Sequence, residues 1–503
     1  MKSHLMANPE LGFRRRSRPV AAQRRRGSVL FAITVILGGS LMAAFASGSP
    51  KSVLAAGAAL SAIVWMFWRA DDLPILLLPT IYQWLQVALK PIMSAVYAQP
   101  VDEVFRSGVS VEAPTEPAAL YGLAGVVCLS LGICIGARRS YPHAVHATRL
   151  EAQRWEPELL LRVCLSAIVL GHLATAFAGL TGPAYQPVLA LGGLRLVGVF
   201  ILAYWCFVNS KGYQYLVPVL VFEIVIGMTG FFADFRSPLL ATGIAALAAK
   251  PRLRPSSIVL WALAVIISLL AASFWSEVKM DYRSFLNHGS GTQSVSEPLE
   301  ARVIYLYNAV SEFDSTKLED GFDRLLERLS YTDYLGATLM YVPVLAPHEN
   351  GELLGKAVEN ALMPRVLFPD KPPLPSDSDV TSRYTGLDFD QNTSVSIGYL
   401  GELYVDFGYV GSLIATTVIG VMAGIGYRVL RDYQRTSRLI TAGVCLIYAL
   451  SFVEFGAALV KFTNAAVLAF TAALVIQRMI APAALAYMMS RRAVARLTPR
   501  PHL

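Results

Sequence analysis

The chain has 503 residues, 55% of them hydrophobic and only 16% charged, with a net charge of +8. Soluble proteins average about 25% charged residues, and here the apolar excess is gathered into long runs. A multi-domain soluble enzyme, a disordered chain, a collagen and a disulfide scaffold are therefore excluded. The charge is also unevenly spread. Segment 276–395 holds ten basic and nineteen acidic residues, a balance of −9, and the remainder carries +17, which argues against a nucleic-acid surface.

The N-terminus carries an arginine-rich stretch, Arg14 to Arg26, directly before the first apolar run. By the positive-inside rule this places the N-terminus in the cytoplasm. A helix needs about 20 mostly apolar residues to cross the hydrocarbon core. Runs of this kind predict twelve spans, near 28–48, 52–68, 74–97, 117–137, 158–180, 187–209, 214–234, 237–249, 257–275, 408–427, 439–456 and 460–477. The third is interrupted by Gln83, Gln86, Lys90 and Pro91, and the eighth is short; either suits a re-entrant segment. The first run ends in Gly48-Ser49-Pro50 without a cleavage pattern, so it reads as a retained span.

Twelve crossings return the C-terminus to the cytoplasm. Arg138, Arg139, Arg149, Arg154, Arg428, Arg431, Arg435 and Arg438 then fall inside, and the short outer loops hold only Lys51, Arg106, Arg236 and Lys461. The expected organisation is a basic tail (1–27), a bundle of about nine spans (28–275), a large periplasmic loop with an entry helix (276–407), about three further spans (408–490) and a second basic tail (491–503). The fold class is an all-α polytopic membrane protein with one large, partly helical outer loop. The five cysteines all fall within predicted spans, and no thiolate metal site, P-loop or dinucleotide fingerprint is present, which disfavours an ATP-driven pump.

In the outer loop, Pro298–Phe313 and Leu318–Leu345 read as helices. Arg324 and Arg328 share a face of the second, where pairing with Asp320, Asp323 or Glu327 is expected. Pro364, Pro369, Pro372, Pro373 and Pro375 then stiffen the chain around Arg365, Asp370 and Lys371, as a ligand clamp or a plain wall. Asp388, Asp390, Asn392, Thr393 and Ser394 lead into an amphipathic entry helix. On it Glu402 and Asp406 lie four apart, and Tyr399, Tyr404 and Tyr409 are expected to anchor at the membrane boundary. Gly408 and Gly411 permit a bend.

Ionisable residues within spans are costly and tend to face a cavity or a partner. His172, Arg195, Glu223, Asp234 and Arg236 all lean toward the loop side. Glu223 pairing with Arg195, and His172 as an interhelical hydrogen bonder, are the structural alternatives. Lys90 and Lys461 are expected as interfacial anchors. Fixed cations, one or two carboxylates and an aromatic lid together suit a lipid-linked diphosphate. Arg and Lys would stabilise the leaving diphosphate, and a carboxylate or His would deprotonate the attacking hydroxyl.

The stretch MPRVLFPDKP (363–372) followed by TSVSIGYLGELYVDFGYVG (393–411) and a span resembles the bacterial O-antigen and exopolysaccharide polymerases of the Wzy type. The match is clearest over about 360–430, and one loop is large here where some members carry two. The resemblance implies polymerisation of undecaprenyl-diphosphate-linked repeat units at the outer face of the inner membrane, without a cofactor or metal. A chain-length regulator and a flippase of the same pathway are the implied partners, besides the lipid bilayer. On this reading Arg236, Arg365 and Lys371 hold diphosphate with Arg195 in support. Glu402 is the base, and Asp388, Asp390 or His172 could substitute for it. The alternatives are an O-antigen ligase of the WaaL type acting on lipid A core, which would pair a loop Arg with a loop His such as His288 or His348, and a glycolipid transporter or a non-catalytic export subunit.

Overall fold

The computed structural model describes residues 18–69, 72–104, 114–138, 144–231, 234–249, 255–290, 295–371, 374–389, 395–433 and 435–497. These form helices and turns, with no strand among the described residues. The order is α1 (Arg18–Ala46), α2 (Pro50–Phe67), α3 (Leu77–Tyr97), α4 (Thr115–Gly136), α5 (Ala144–Arg154), α6 (Pro157–Phe177), α7 (Tyr185–Leu191), α8 (Leu194–Asn209), α9 (Tyr213–Met228), α10 (Arg236–Ala249) and α11 (Pro255–Leu286). There follow α12 (Leu299–Ser311), α13 (Ser315–Leu329), α14 (Thr332–Tyr341), α15 (Glu352–Leu362), α16 (Asp377–Thr385), α17 (Gly398–Arg431), α18 (Arg438–Leu450), α19 (Leu459–Val475) and α20 (Ala481–Leu497).

Among the described residues, seven stretches are long and apolar enough to cross a membrane: Val29–Ala46, Pro50–Phe67, Thr115–Gly136, Pro157–Leu180, Gly182–Asn209, Gly398–Arg431 and Leu459–Met489. Their outward side chains include Phe31, Phe45, Val169, Val410 and Met422, all exposed, as expected of a membrane-embedded protein. Among the other expected spans, Tyr213–Met228, Arg236–Ala249 and Arg438–Leu450 are apolar but short. At 1.5 Å per residue the 13-residue α18 reaches only about 20 Å, less than the ~30 Å core. α3 runs unbroken through Pro91 for 21 residues. α11 continues eleven residues beyond the expected end of its apolar run.

Short helices leave non-helical backbone inside the bundle, and its polar groups need partners there. The turn between α18 and α19 shows how this is met. Phe452, Val453 and Phe455 are buried. Gln83 of α3 donates to the Phe452 carbonyl (2.6 Å), and Gln86 donates to that of Val453 (2.8 Å) and accepts from the Phe455 amide (3.2 Å). The two glutamines that broke the apolar pattern of α3 thus supply the hydrogen bonds that a non-helical turn lacks.

The centre of the bundle is the pairing of α4 with α17. Gly132 and Gly136 of α4 face Gly420 and Gly424 of α17. A Cβ at Gly132 would lie 2.2 Å from the Thr417 carbonyl oxygen, and one at Gly424 would lie 2.3 Å from that of Ile133. Each helix presents a small-xxx-small pair to the other, which lets the backbones touch. α17 bends at Gly408, whose φ of 65° and ψ of −169° lie where only glycine is comfortable.

Two expectations for the loop change. The helix expected over Leu318–Leu345 is two, α13 and α14, parted where the Tyr331 amide donates to the Gln86 carbonyl (3.2 Å). The entry helix is not interfacial: Gly398 to Asp406 are buried. Tyr399 donates to Gln83 (3.0 Å) and Tyr404 to the Val342 carbonyl (2.9 Å); of the three tyrosines only Tyr409 is exposed. Packing of α14, α15 and α19 against α17 removes this face from any boundary.

Candidate functional site

His172, Arg195, Glu223 and Asp234 are linked by ion pairs, and Arg236, two residues on, together with Lys279 and Arg283, lies near Arg328 of the loop helix α13. A polar network lies deepest. Glu223 of α9 is fully buried and bonded to His172 Nε2 of α6 (2.8 Å) and Arg195 Nη1 of α8 (2.5 Å). Arg195 reaches on to Asp234 in the α9–α10 turn, which also accepts from Ser237. Four elements are tied together by charges that would be prohibitive if unpaired.

Arg236, the first residue of α10, stands next in line. Its Nη2 pairs with Glu454 of the α18–α19 turn at 2.5 Å, and its Nη1 faces the Tyr82 hydroxyl of α3 at 3.4 Å. Protein surrounds Arg236, yet 47% of its side chain and 41% of Glu454's are reached by solvent, so the pair lines an open cleft. Arg328, in the last turn of α13, feels the charge of Arg236 and lies by Tyr82 and Tyr331. Lys279 of α11 is near enough to Arg328 and Arg283 to feel both. Arg283 donates to the Phe231 carbonyl (3.1 Å) and lies over that ring.

Arg324 pairs with Glu277 of α11 at 3.0 Å, not with an acid of its own helix. Arg328 and Lys279 have no acidic partner among the described residues. Burial and the nearby Arg236 hold the Arg328 guanidinium below its ordinary range. Burial, then Arg328 and Arg283, push Lys279, one turn past the apolar run of α11, down to about 7. Crowded cations without counter-charge describe a site that an anion completes.

Other expected site residues are placed elsewhere. Arg365 donates to the Lys371 carbonyl (3.0 Å), and Lys371 donates to those of Asn360 (2.6 Å) and Met363 (2.8 Å). Glu402 is 4% exposed and lies by the Leu459 amide at the start of α19. Asp406 accepts from the Leu353 and Leu354 amides (3.1 and 2.8 Å) at the start of α15. Asp406 thus satisfies two free amides of another helix. Asp388 is exposed, and Asp390 lies outside the described residues. Lys90, expected at the interface, is 2% exposed and pairs with Asp333 of α14 at 2.6 Å; Lys461 pairs with Asp377. His288 stands by Glu297 (3.4 Å), and His348 bonds the Val405 carbonyl (3.1 Å).

The residues that sequence reasoning passed over as site members are Tyr82, Lys279, Arg283, Arg328 and Glu454. A signal existed for two of them: Lys279 and Arg283 are four apart, on one helical face just past an apolar run. A cavity of about 180 Å³ lies at the opposite end of the bundle, lined by residues including Asp72, Tyr427, Arg431 and Arg438. Its Arg431 is taken up by Asp72 (3.4 Å) and Asp432 (3.0 Å), and it forms no part of the cationic cleft. No family model matches the chain, and no curated protein or solved structure is significantly similar to it.

Proposed function

We propose that this protein is a membrane glycosyltransferase that polymerises polyprenyl-diphosphate-linked oligosaccharide repeat units at the outer face of a bacterial inner membrane. The observation that carries this reading is the group of Arg236, Arg328, Lys279 and Arg283, two of them without an acid, at the end of an apolar bundle that bears the large loop. A diphosphate on a lipid tail supplies the missing charge while its tail stays in the bilayer. The resemblance of 363–372 and 393–411 to the polymerases adds to this reading.

In the reaction, a hydroxyl of the acceptor sugar attacks the anomeric carbon of the donor. The new C–O bond forms as the bond to diphosphate breaks. The departing polyprenyl diphosphate takes the electron pair, and the cations stabilise the charge that develops on it. The hydroxyl proton passes to a carboxylate. Glu454, paired with Arg236 in the open cleft, suits this role better than Glu402, which is enclosed at the start of α19. Arg195 acts behind the site, fixing the α9–α10 turn that carries Asp234 and leads into Arg236.

The test supplies purified protein with lipid-linked repeat units and resolves the products as a ladder of lengths. Arg236→Ala and Arg328→Ala should each abolish the ladder, with Arg324→Ala, paired away from the cleft, as the control. A ladder unchanged in both variants rejects the site. A deletion strain that accumulates lipid-linked polymer, not single repeats on lipid A core, would move the assignment to the ligase.

A further inference from the structure

The segment Leu362–Lys371 has no part in the cationic cleft, yet it is unusually arranged. Leu362, Val366, Leu367 and Phe368 are 69%, 46%, 71% and 42% exposed. Part of its backbone closes on itself: the Leu367 and Phe368 amides bond the Pro364 carbonyl (2.9 and 3.0 Å) and the Lys371 amide that of Phe368 (3.3 Å). The cationic side chains add to this by donating to the carbonyls of Asn360, Met363 and Lys371. The result is a knot held by its own cations, with four apolar side chains outward beside the exposed Arg365 and Asp370.

Its depth is set by α19. Ala357 of α15 meets Thr463 (3.4 Å), and Asn360 meets Asn464 (2.8 Å), so the end of α15 lies beside the first turns of α19. Asn464 is five residues into α19, about 7.5 Å at 1.5 Å per residue. Lys371 of the knot bonds the Asn360 carbonyl (2.6 Å), so the knot lies near that level, beside a helix that belongs to the apolar stretch Leu459–Met489. Interfacial segments bury their apolar faces by about 5–10 Å.

We infer that Leu362–Lys371 is a wedge inserted into the lipid leaflet on the loop-bearing side, continuous with the outward face of α19. Arg365 and Lys371 satisfy the carbonyls of Asn360, Met363 and Lys371, and the exposed Arg365 and Asp370 lie at the level of the headgroups, where polar groups stay hydrated. The wedge ties the loop to the membrane and does not depend on the chemistry of the cleft.

The test uses the full chain in phosphatidylglycerol-containing bilayers. A spin label is placed at Leu367→Cys in a background with the five native cysteines replaced, with Lys356→Cys as aqueous reference and Met422→Cys as mid-helix lipid reference. Label 367 should collide with oxygen as label 422 does and lose the collisions with a water-soluble nickel chelate that label 356 retains. Behaviour like label 356 overturns the inference, as does shielding from both agents, which would mean a protein partner covers the segment. A benzophenone amino acid at position 367 of the otherwise native chain gives a second readout. A lipid adduct is expected, and protein adducts alone would overturn the inference. Polymer formation enters neither measurement, so failure here is distinct from failure of the proposed function.

Discussion

Arg236 and Glu454 are joined at 2.5 Å across the mouth of the cleft, one from the start of α10 and the other from a non-helical turn inside the bundle. Glu454 therefore holds one of the cations that a diphosphate needs, and it is the carboxylate nearest to that charge. Glu454→Gln removes a proton acceptor but releases Arg236. The expected outcome is turnover reduced by about 10²-fold or more, together with unchanged or tighter binding of polyprenyl diphosphate. Single-turnover kinetics combined with a binding titration separates the two effects. Unchanged turnover would remove Glu454 from the chemistry.

Lys279 gives the site a pH dependence. Its folded-state value of about 7 lies below the ordinary lysine value of 10.5. Between about 7 and 10.5 the native protein sheds a proton that the unfolded chain keeps, so stability rises with pH across that window. Anion binding has the opposite trend, because deprotonation removes one of the cations. Affinity for pyrophosphate should fall as pH rises through about 7, by up to tenfold per pH unit. Lys279→Ala should lower affinity at about pH 6 and flatten the profile. A profile equally steep in the variant would exclude Lys279 as its source.

Glu402 was the acid that stood out in the sequence, within Gly-Glu-x-Tyr. Its contact with the Leu459 amide predicts a structural result. Glu402→Gln keeps an acceptor oxygen and should retain most of the polymer ladder. Glu402→Leu removes the carboxylate beside the start of α19 and should lower the Tm in detergent. Loss of the ladder in Glu402→Gln at unchanged Tm would restore Glu402 as the base.

The bend at Gly408 separates the buried first part of α17 from its long apolar remainder. With φ of 65° and ψ of −169°, any side chain at this position is strained. Gly408→Ala should cost about 1–3 kcal/mol, and thermal unfolding would show whether it does. The same cost should not appear for Gly355→Ala, which sits on α15 with open space around it.

Hydropathy made the long helices legible, because a lipid-facing helix must be apolar along its whole length. The bend at Gly408 and the pairing of Glu223 with Arg195 were also readable, since few residues tolerate such positions without a specific reason. Where α9 and α18 are short, the same counting overran, because turns such as 451–458 are nearly as apolar as a span. The cleft was only partly legible. Arg236 stood out on a tight turn. Arg328 and Lys279 come from a loop helix and an extended α11, and their shared isolation from acids exists only once those helices are packed together. Arg365 and Lys371 misled because a stiff segment bearing cations looks the same whether it clamps a ligand or bonds its own carbonyls.

Gln83 and Gln86 show how a remote change should reach the site. Neither is hydrogen-bonded to Arg236, Arg328 or Lys279, but together they hold the turn that presents Glu454. Gln86→Leu keeps approximate size and strands the Val453 carbonyl and the Phe455 amide in a buried place. Each stranded group costs about 1–3 kcal/mol. The turn can relieve that cost only by moving, and Glu454 would move with it. The expected outcome is a lower Tm and a weakened polymer ladder. Adding Glu454→Gln to Gln86→Leu should then reduce turnover by less than it does in the native chain, because the carboxylate is already displaced. If the two losses multiply as independent effects, Gln86 supports stability alone and the turn does not position the acid.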